Sequence, residues 1–229
     1  MRFLRFSQAR HNLYALPDID FARVFIGFIV LLFSLTVHEA AHAWTASRLG
    51  DQTARLLGRV SLNPVVHADI VGTVLFPLLA ILGNIPLIGW AKPVPVSTRN
   101  LRNGRRDYVL VAAAGPLSNL LLAIGASIAL DVLTISPMRL GEPNMSVPIA
   151  SLLSAAIRTN VLLAVFNMLP IPPLDGGNVL GGLLPSSLGV KFNALMRPYG
   201  FILLYALLLT RGFDYLVVPP ARFLLSWLQ

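Results

Sequence analysis

The run Val37-His38-Glu39-Ala40-Ala41-His42-Ala43 constrains this chain more than any other, because it sets two imidazoles and a carboxylate inside a stretch that is otherwise predominantly apolar from about Phe21 to Trp44. A charged group near a bilayer centre costs about 2.5 to 3.5 kcal/mol on insertion scales, so ionisable residues there are kept for a reason. On a helix, positions four apart share one face. His38 and His42 can therefore turn two ring nitrogens toward one metal ion, with Glu39 offset to the side. The spacing is the H-E-x-x-H arrangement of a zinc hydrolase, placed in what reads as a membrane span. The bland alternative is a buried polar network that only packs helices.

Composition supports a membrane setting. Of 229 residues, 55% are hydrophobic and 12% charged, with mean hydropathy +0.72, which is too apolar for a domain that must cover itself with polar groups. An all-α polytopic membrane protein is expected, forming one domain over residues 1–229. Each span takes about 20 apolar residues, which leaves no room for a large soluble module. The net charge of +8 reads as Lys and Arg in cytoplasmic loops rather than a nucleic-acid surface, so no nucleic-acid partner is expected. Cysteine is absent, which excludes thiolate ligands and leaves His, Asp and Glu to hold a metal.

Residues 1–20, with Arg2, Arg5 and Arg10 among aromatic and aliphatic neighbours, are expected to lie as an interfacial segment. The apolar stretch that follows is too long for the core of a cleaved signal peptide. Spans are expected over 21–47, 108–130, 147–169 and, as an additional C-terminal helix, 199–218. Between the first two, Leu56-Leu57-Gly58-Arg59-Val60-Ser61-Leu62 reads as a short β element with a bulge at Gly58. Residues 70–90 are apolar but interrupted by Pro77, Gly83, Asn84, Pro86 and Gly89, which suits a re-entrant hairpin better than a straight helix.

A catalytic zinc ordinarily takes three protein ligands, so the two histidines need a partner. Asp131, Glu142, His67 and Asp69 are available, but Asp175 has the most suitable context. Pro170, Pro172 and Pro173 force the chain out of helix before it, while Gly176 and Gly177 after it let backbone approach closely. Asp175 as a plain turn residue is the alternative. Its choice implies topology: the 21–47 and 147–169 spans must run the same way, so 70–90 must return to the side it left. Arg48, Arg55, Arg59, Lys92, Arg99, Arg102, Arg105 and Arg106 then share one side, cytoplasmic by the positive-inside rule. Arg2, Arg5 and Arg10 argue for the other orientation.

Taken together, His38-Glu39-Ala40-Ala41-His42, Gly115-Pro116-Leu117-Ser118-Asn119 and Asn167 through Leu174-Asp175-Gly176 resemble the site-2 protease family of intramembrane zinc metalloproteases. Gly58-Arg59-Val60-Ser61-Leu62-Asn63-Pro64 and Gly89-Trp90-Ala91-Lys92-Pro93-Val94-Pro95 are similar to its compact bacterial members without a PDZ insert. The resemblance implies one catalytic Zn2+ held by His38, His42 and Asp175, with Glu39 as general base and acid. It implies Asn167 as a polar group beside the reacting atoms, and a catalytic centre on the cytoplasmic side of the cell membrane. The expected substrate is a transmembrane protein, cleaved within or near its span in regulated intramembrane proteolysis. A substrate helix must unwind first, and the 56–62 element would hold the opened strand by edge pairing. Asn119 and Gly115 read as packing residues. Residue types leave a transporter with an intramembrane His, Glu and Asp pathway as the rival function. Substrate identity and oligomeric state are not legible.

Overall fold

A computed structural model describes residues 21–77, 79, 90–135 and 146–229. Among these the chain is all-helical. Three helices are long and apolar enough to cross a membrane: α1 (Phe21–Arg48), followed after two short helices by α4 (Arg105–Ile135) and α5 (Ser146–Asn167). The short ones are α2 (Thr53–Leu56) and α3 (Pro64–His67), and a π-helical turn spans Ile70–Leu75. The chain closes with α6 (Asp175–Leu183), α7 (Ser186–Leu209), α8 (Gly212–Leu216) and α9 (Val218–Leu228).

The three long helices pack directly on one another. Small residues make this possible, since lipid offers no hydrophobic drive and close backbone approach must supply the contact. Ala43 and Ala46 on α1, Ala112 and Ala123 on α4 and Ala164 on α5 are all buried. Buried polar side chains link the same helices: the Asn119 Nδ2 on α4 donates to the Ser34 carbonyl on α1 at 3.3 Å and to Asn160 Oδ1 on α5 at 2.8 Å.

The C-terminal end of α1 and the N-terminal end of α4 meet. The Arg102 amide donates to the Leu49 carbonyl at 3.0 Å. Asp51, fully buried, accepts from the amides of Thr53 and Ser97, the Thr53 hydroxyl and the Asn100 side chain. Burial pushes this carboxyl up, but those hydrogen bonds outweigh it and hold it below its ordinary value. The basic residues Arg48, Arg55, Arg102, Arg105 and Arg106 flank this junction, so they share one end of the bundle.

The β element expected over 56–62 does not form; no strand occurs among the described residues. Gly58 has φ 69° and ends α2, with its amide bonding the Arg55 carbonyl at 3.0 Å and the Arg59 amide bonding the Ala54 carbonyl at 2.8 Å. That pair is a Schellman motif, in which a left-handed glycine satisfies the last carbonyls of a helix. The glycine stops a helical turn instead of bulging a strand, and the Arg59 guanidinium then folds back onto the Val66 carbonyl. Edge pairing by 56–62 therefore loses its basis.

Of the segment expected as a re-entrant hairpin, 78 and 80–89 lie outside the described residues, as does 1–20, expected to lie at the interface. Its flanks are described, and they touch. The Trp90 amide donates to the Gly72 carbonyl at 3.2 Å, and the Thr73 hydroxyl donates to the Trp90 carbonyl at 2.9 Å. Any side chain at Gly72 would collide with the Trp90 indole, 2.5 Å away. The C-terminal region departs from one helix over 199–218. The α7 helix bends by 63° between Ser186–Met196 and Pro198–Leu209, at a proline that removes an i→i−4 bond, and ends before Thr210, beyond which α8 and α9 follow.

Candidate metal centre

One turn of α1 presents His38 and His42 on the same face, and the ring nitrogens turned away from each other are each fixed by an acceptor on α4. His38 Nδ1 lies 2.6 Å from Asn119 Oδ1, and His42 Nδ1 lies 2.7 Å from the Val111 carbonyl oxygen. The Asn119 orientation is itself set from behind. The Asn160 Nδ2 donates to the Ala156 carbonyl at 2.9 Å, so its Oδ1 faces Asn119 Nδ2, and Asn119 Oδ1 is left for the histidine. In the neutral rings both Nδ1 atoms then carry the proton, which leaves both Nε2 atoms as lone pairs. The turn supplying the Val111 carbonyl is the one loosened by Pro116, which lacks the amide that would bond the Ala112 carbonyl.

Asp175 reaches the same point from the first residue of α6. Its Oδ2 lies 3.1 Å from His38 Nε2 and 3.4 Å from His42 Nε2, and the two Nε2 atoms are 3.1 Å apart. With that proton assignment, two imidazole lone pairs and a carboxylate oxygen converge with no donor among them. The arrangement calls for a cation. A tetrahedral zinc with bonds of ~2.0–2.2 Å has donor-to-donor edges of roughly 3.3 Å, so the observed triangle fits one face of such a site and leaves the fourth position open. The donor set is the nitrogen and oxygen set that zinc accepts. Asp175 is the most open of the three, with 15% side-chain exposure against 5% for His38.

Glycine is required on two sides. A methyl at Gly115 would lie 2.4 Å from His42 Nε2 and 2.6 Å from His38 Nε2, so α4 can pass under the histidines only without a side chain there. Methyls at Gly176 and Gly177 would meet the Met168 carbonyl at 2.2 Å and Pro172 N at 2.4 Å. These two residues let the start of α6 press against the proline-rich loop that positions Asp175.

Glu39 lies beside the triangle without joining it. Its Oε2 accepts from the Val94 amide at 2.9 Å, the one N–H that Pro93-Val94-Pro95 can offer. Asn167 is not brought onto the ligand atoms; its Nδ2 donates to the Leu163 carbonyl of its own helix at 2.9 Å. His67 and Asp69 are elsewhere, His67 Nε2 on the Ser61 carbonyl at 2.8 Å and Asp69 capping the π-helical turn. Asn119, expected from sequence to pack helices, does link them and also holds His38 Nδ1; Asn160 carries no expectation from sequence, and Val94 only its place in a family-like run. A buried asparagine in mid-span, or a lone amide between two prolines, was the available signal.

The sequence profile of Peptidase family M50 matches residues 133–210. The chain is 37% identical to YwhC of Bacillus subtilis (strain 168) over 83% of each protein. It is 30% identical to Rip2 of Mycolicibacterium smegmatis over 81% of this chain and 69% of that protein. Against Rip2 of Mycobacterium tuberculosis it is 36% identical over 68% of this chain and 55% of that protein. Each of these relatives is provisionally named a zinc metalloprotease. No solved structure matches significantly.

Proposed function

This chain belongs to peptidase family M50, the site-2 protease family, and is a multi-pass membrane zinc metalloprotease; on that premise we propose that it hydrolyses a peptide bond within or beside a transmembrane segment of another membrane protein, as a step in regulated intramembrane proteolysis. The observation that carries the reading is the convergence of His38, His42 and Asp175 at tetrahedral spacing on helices long enough to span a bilayer. His38, His42 and Asp175 are the zinc ligands. Bound there, zinc acts as a Lewis acid that acidifies water and polarises the scissile carbonyl.

The rest is done by the chain's own groups. Glu39 is the general base: Val94 holds one carboxylate oxygen, and the other takes a proton from the attacking water and returns it to the leaving amine. Asn119 and the Val111 carbonyl keep both histidines in the tautomer that offers Nε2. Asn167 supplies its carboxamide to the substrate backbone or developing oxyanion once it leaves the Leu163 carbonyl. The contact between Gly72 and Trp90 holds the described flanks of 70–90 side by side. The basic residues gathered where α1 ends and α4 begins support a cytoplasmic position for that end, the one nearer the site.

Glu39→Gln tests the reading in zinc-loaded protein reconstituted with a transmembrane-helix substrate. Zinc should remain bound at one per chain while cleavage falls by more than about 100-fold. Undiminished cleavage would remove the mechanism.

A further inference from the structure

Four ionisable side chains stand more than five residues inside the ends of the three long apolar helices: His38, Glu39, His42 and Arg158. The first three build the metal centre. Arg158, on α5, is exposed, and among the described residues it makes no hydrogen bond, ion pair or ring contact. Its depth is set by its neighbour. Asn160 is buried and bonded to Asn119, which holds His38, so it stands at the level of the catalytic centre. Two residues along a helix amount to roughly 3 Å of rise and a turn of about 200°. Arg158 is therefore at nearly that depth but on the far face, directed away from the zinc site.

Arg158 is 11 residues from Val147 and 9 from Asn167, the ends of the span, or roughly 17 and 13 Å of helix. Both exceed what an arginine side chain covers, so snorkelling to a headgroup does not account for it. Helical side chains lean toward the N-terminus, which lays the guanidinium over Ser151 and Ala155. Both are small enough to admit another helix closely. An exposed cation at this depth asks for a carboxylate. Among the described residues a second copy does not offer one on its outer face at the right level: Glu39 is turned to the metal centre, where the Val94 amide holds it, and Asp131, on α4, lies 12 residues beyond Asn119, about 15 Å out of register with Arg158.

The geometry points to the Arg158 face of α5 as a docking surface for a transmembrane helix of another protein that carries an Asp or Glu near its middle. The surface lies opposite the zinc site, so its occupant is held beside the enzyme without entering the catalytic centre. It requires only that the chain spans a membrane, so its failure and that of intramembrane cleavage are separable.

The test uses zinc-loaded protein in phosphatidylcholine vesicles, with energy transfer to a synthetic Leu/Ala membrane-spanning helix bearing one central Glu, compared with the same helix bearing Gln. The Glu helix should associate roughly tenfold more tightly than the Gln helix. That preference should vanish in Arg158→Leu and persist in Arg158→Lys. Zinc content and cleavage of an unstructured peptide should stay unchanged in both variants. Equal association of the two helices, or a preference retained by Arg158→Leu, would overturn the proposal. So would self-association between copies that Arg158→Leu abolishes, which would make the occupant a second copy.

Discussion

Replacing Asn119 by Leu removes a group that touches no substrate, and the structure says how much should follow. Asn119 is fully buried, accepts from His38 Nδ1 at 2.6 Å and donates to Asn160 at 2.8 Å. Leucine fills the space but strands the His38 N–H and the Asn160 carbonyl oxygen, each at a cost of about 1–3 kcal/mol. The loss of stability without metal is then roughly 2–6 kcal/mol. Zinc affinity should fall about 10- to 100-fold, as when other groups that orient a ligand are removed, because the imidazole loses both its tautomer and its orientation. Asn119→Asp keeps the acceptor for His38 and should retain tighter zinc than Asn119→Leu. Competition against a calibrated chelator in detergent reads the affinity, and thermal unfolding of metal-free protein reads the stability. Zinc affinity in Asn119→Leu equal to wild type would refute the orienting role.

Three more outcomes follow from single contacts. Gly115→Ala puts a methyl 2.4 Å from His42 Nε2, so zinc content should drop below half of wild type, as elemental analysis would measure, with helix content in circular dichroism retained. Gly58 has φ 69° and open space where a Cβ would stand, so Gly58→Ala should cost about 1 kcal/mol by backbone strain alone, and Gly58→Asn less, read from thermal midpoints. The Asp51 carboxyl titrates lower folded than unfolded; its stabilisation is therefore complete above the unfolded value of ~3.9 and lost as pH falls through the lower folded one. Thermal midpoints from pH 7 to 3 should accordingly fall more steeply in wild type than in Asp51→Asn.

What the sequence made legible was local or chemically expensive. Two histidines four apart define a face from helical period alone, and an acidic neighbour in an apolar stretch has few uses. Asp175 stood out because prolines and glycines around it announce backbone that leaves helix and packs closely. The all-helical class followed from long apolar runs. Gly58 misled because Leu-Leu-Gly-Arg-Val carries strand-forming residues, whereas the decisive fact was a left-handed cap whose bonds reach back to Ala54 and Arg55. The bond between Asn119 and His38 is hidden in the sequence for another reason. The partners of Asn119 lie 81 residues earlier and 41 later, and no local pattern tells an asparagine that packs helices from one that orients a ligand. The tie between Glu39 and Val94 spans 55 residues and involves an amide, which side-chain identity does not record.

Zinc K-edge absorption on purified, zinc-loaded protein, with metal content measured alongside, tests most directly that His38, His42 and Asp175 together hold one zinc. One zinc per chain is predicted, with two imidazole nitrogens and oxygen donors at ~2.0–2.2 Å, and with Asp175→Ala losing an oxygen ligand and most of the bound metal. A spectrum with a single imidazole, or Asp175→Ala with unchanged coordination and occupancy, would contradict it.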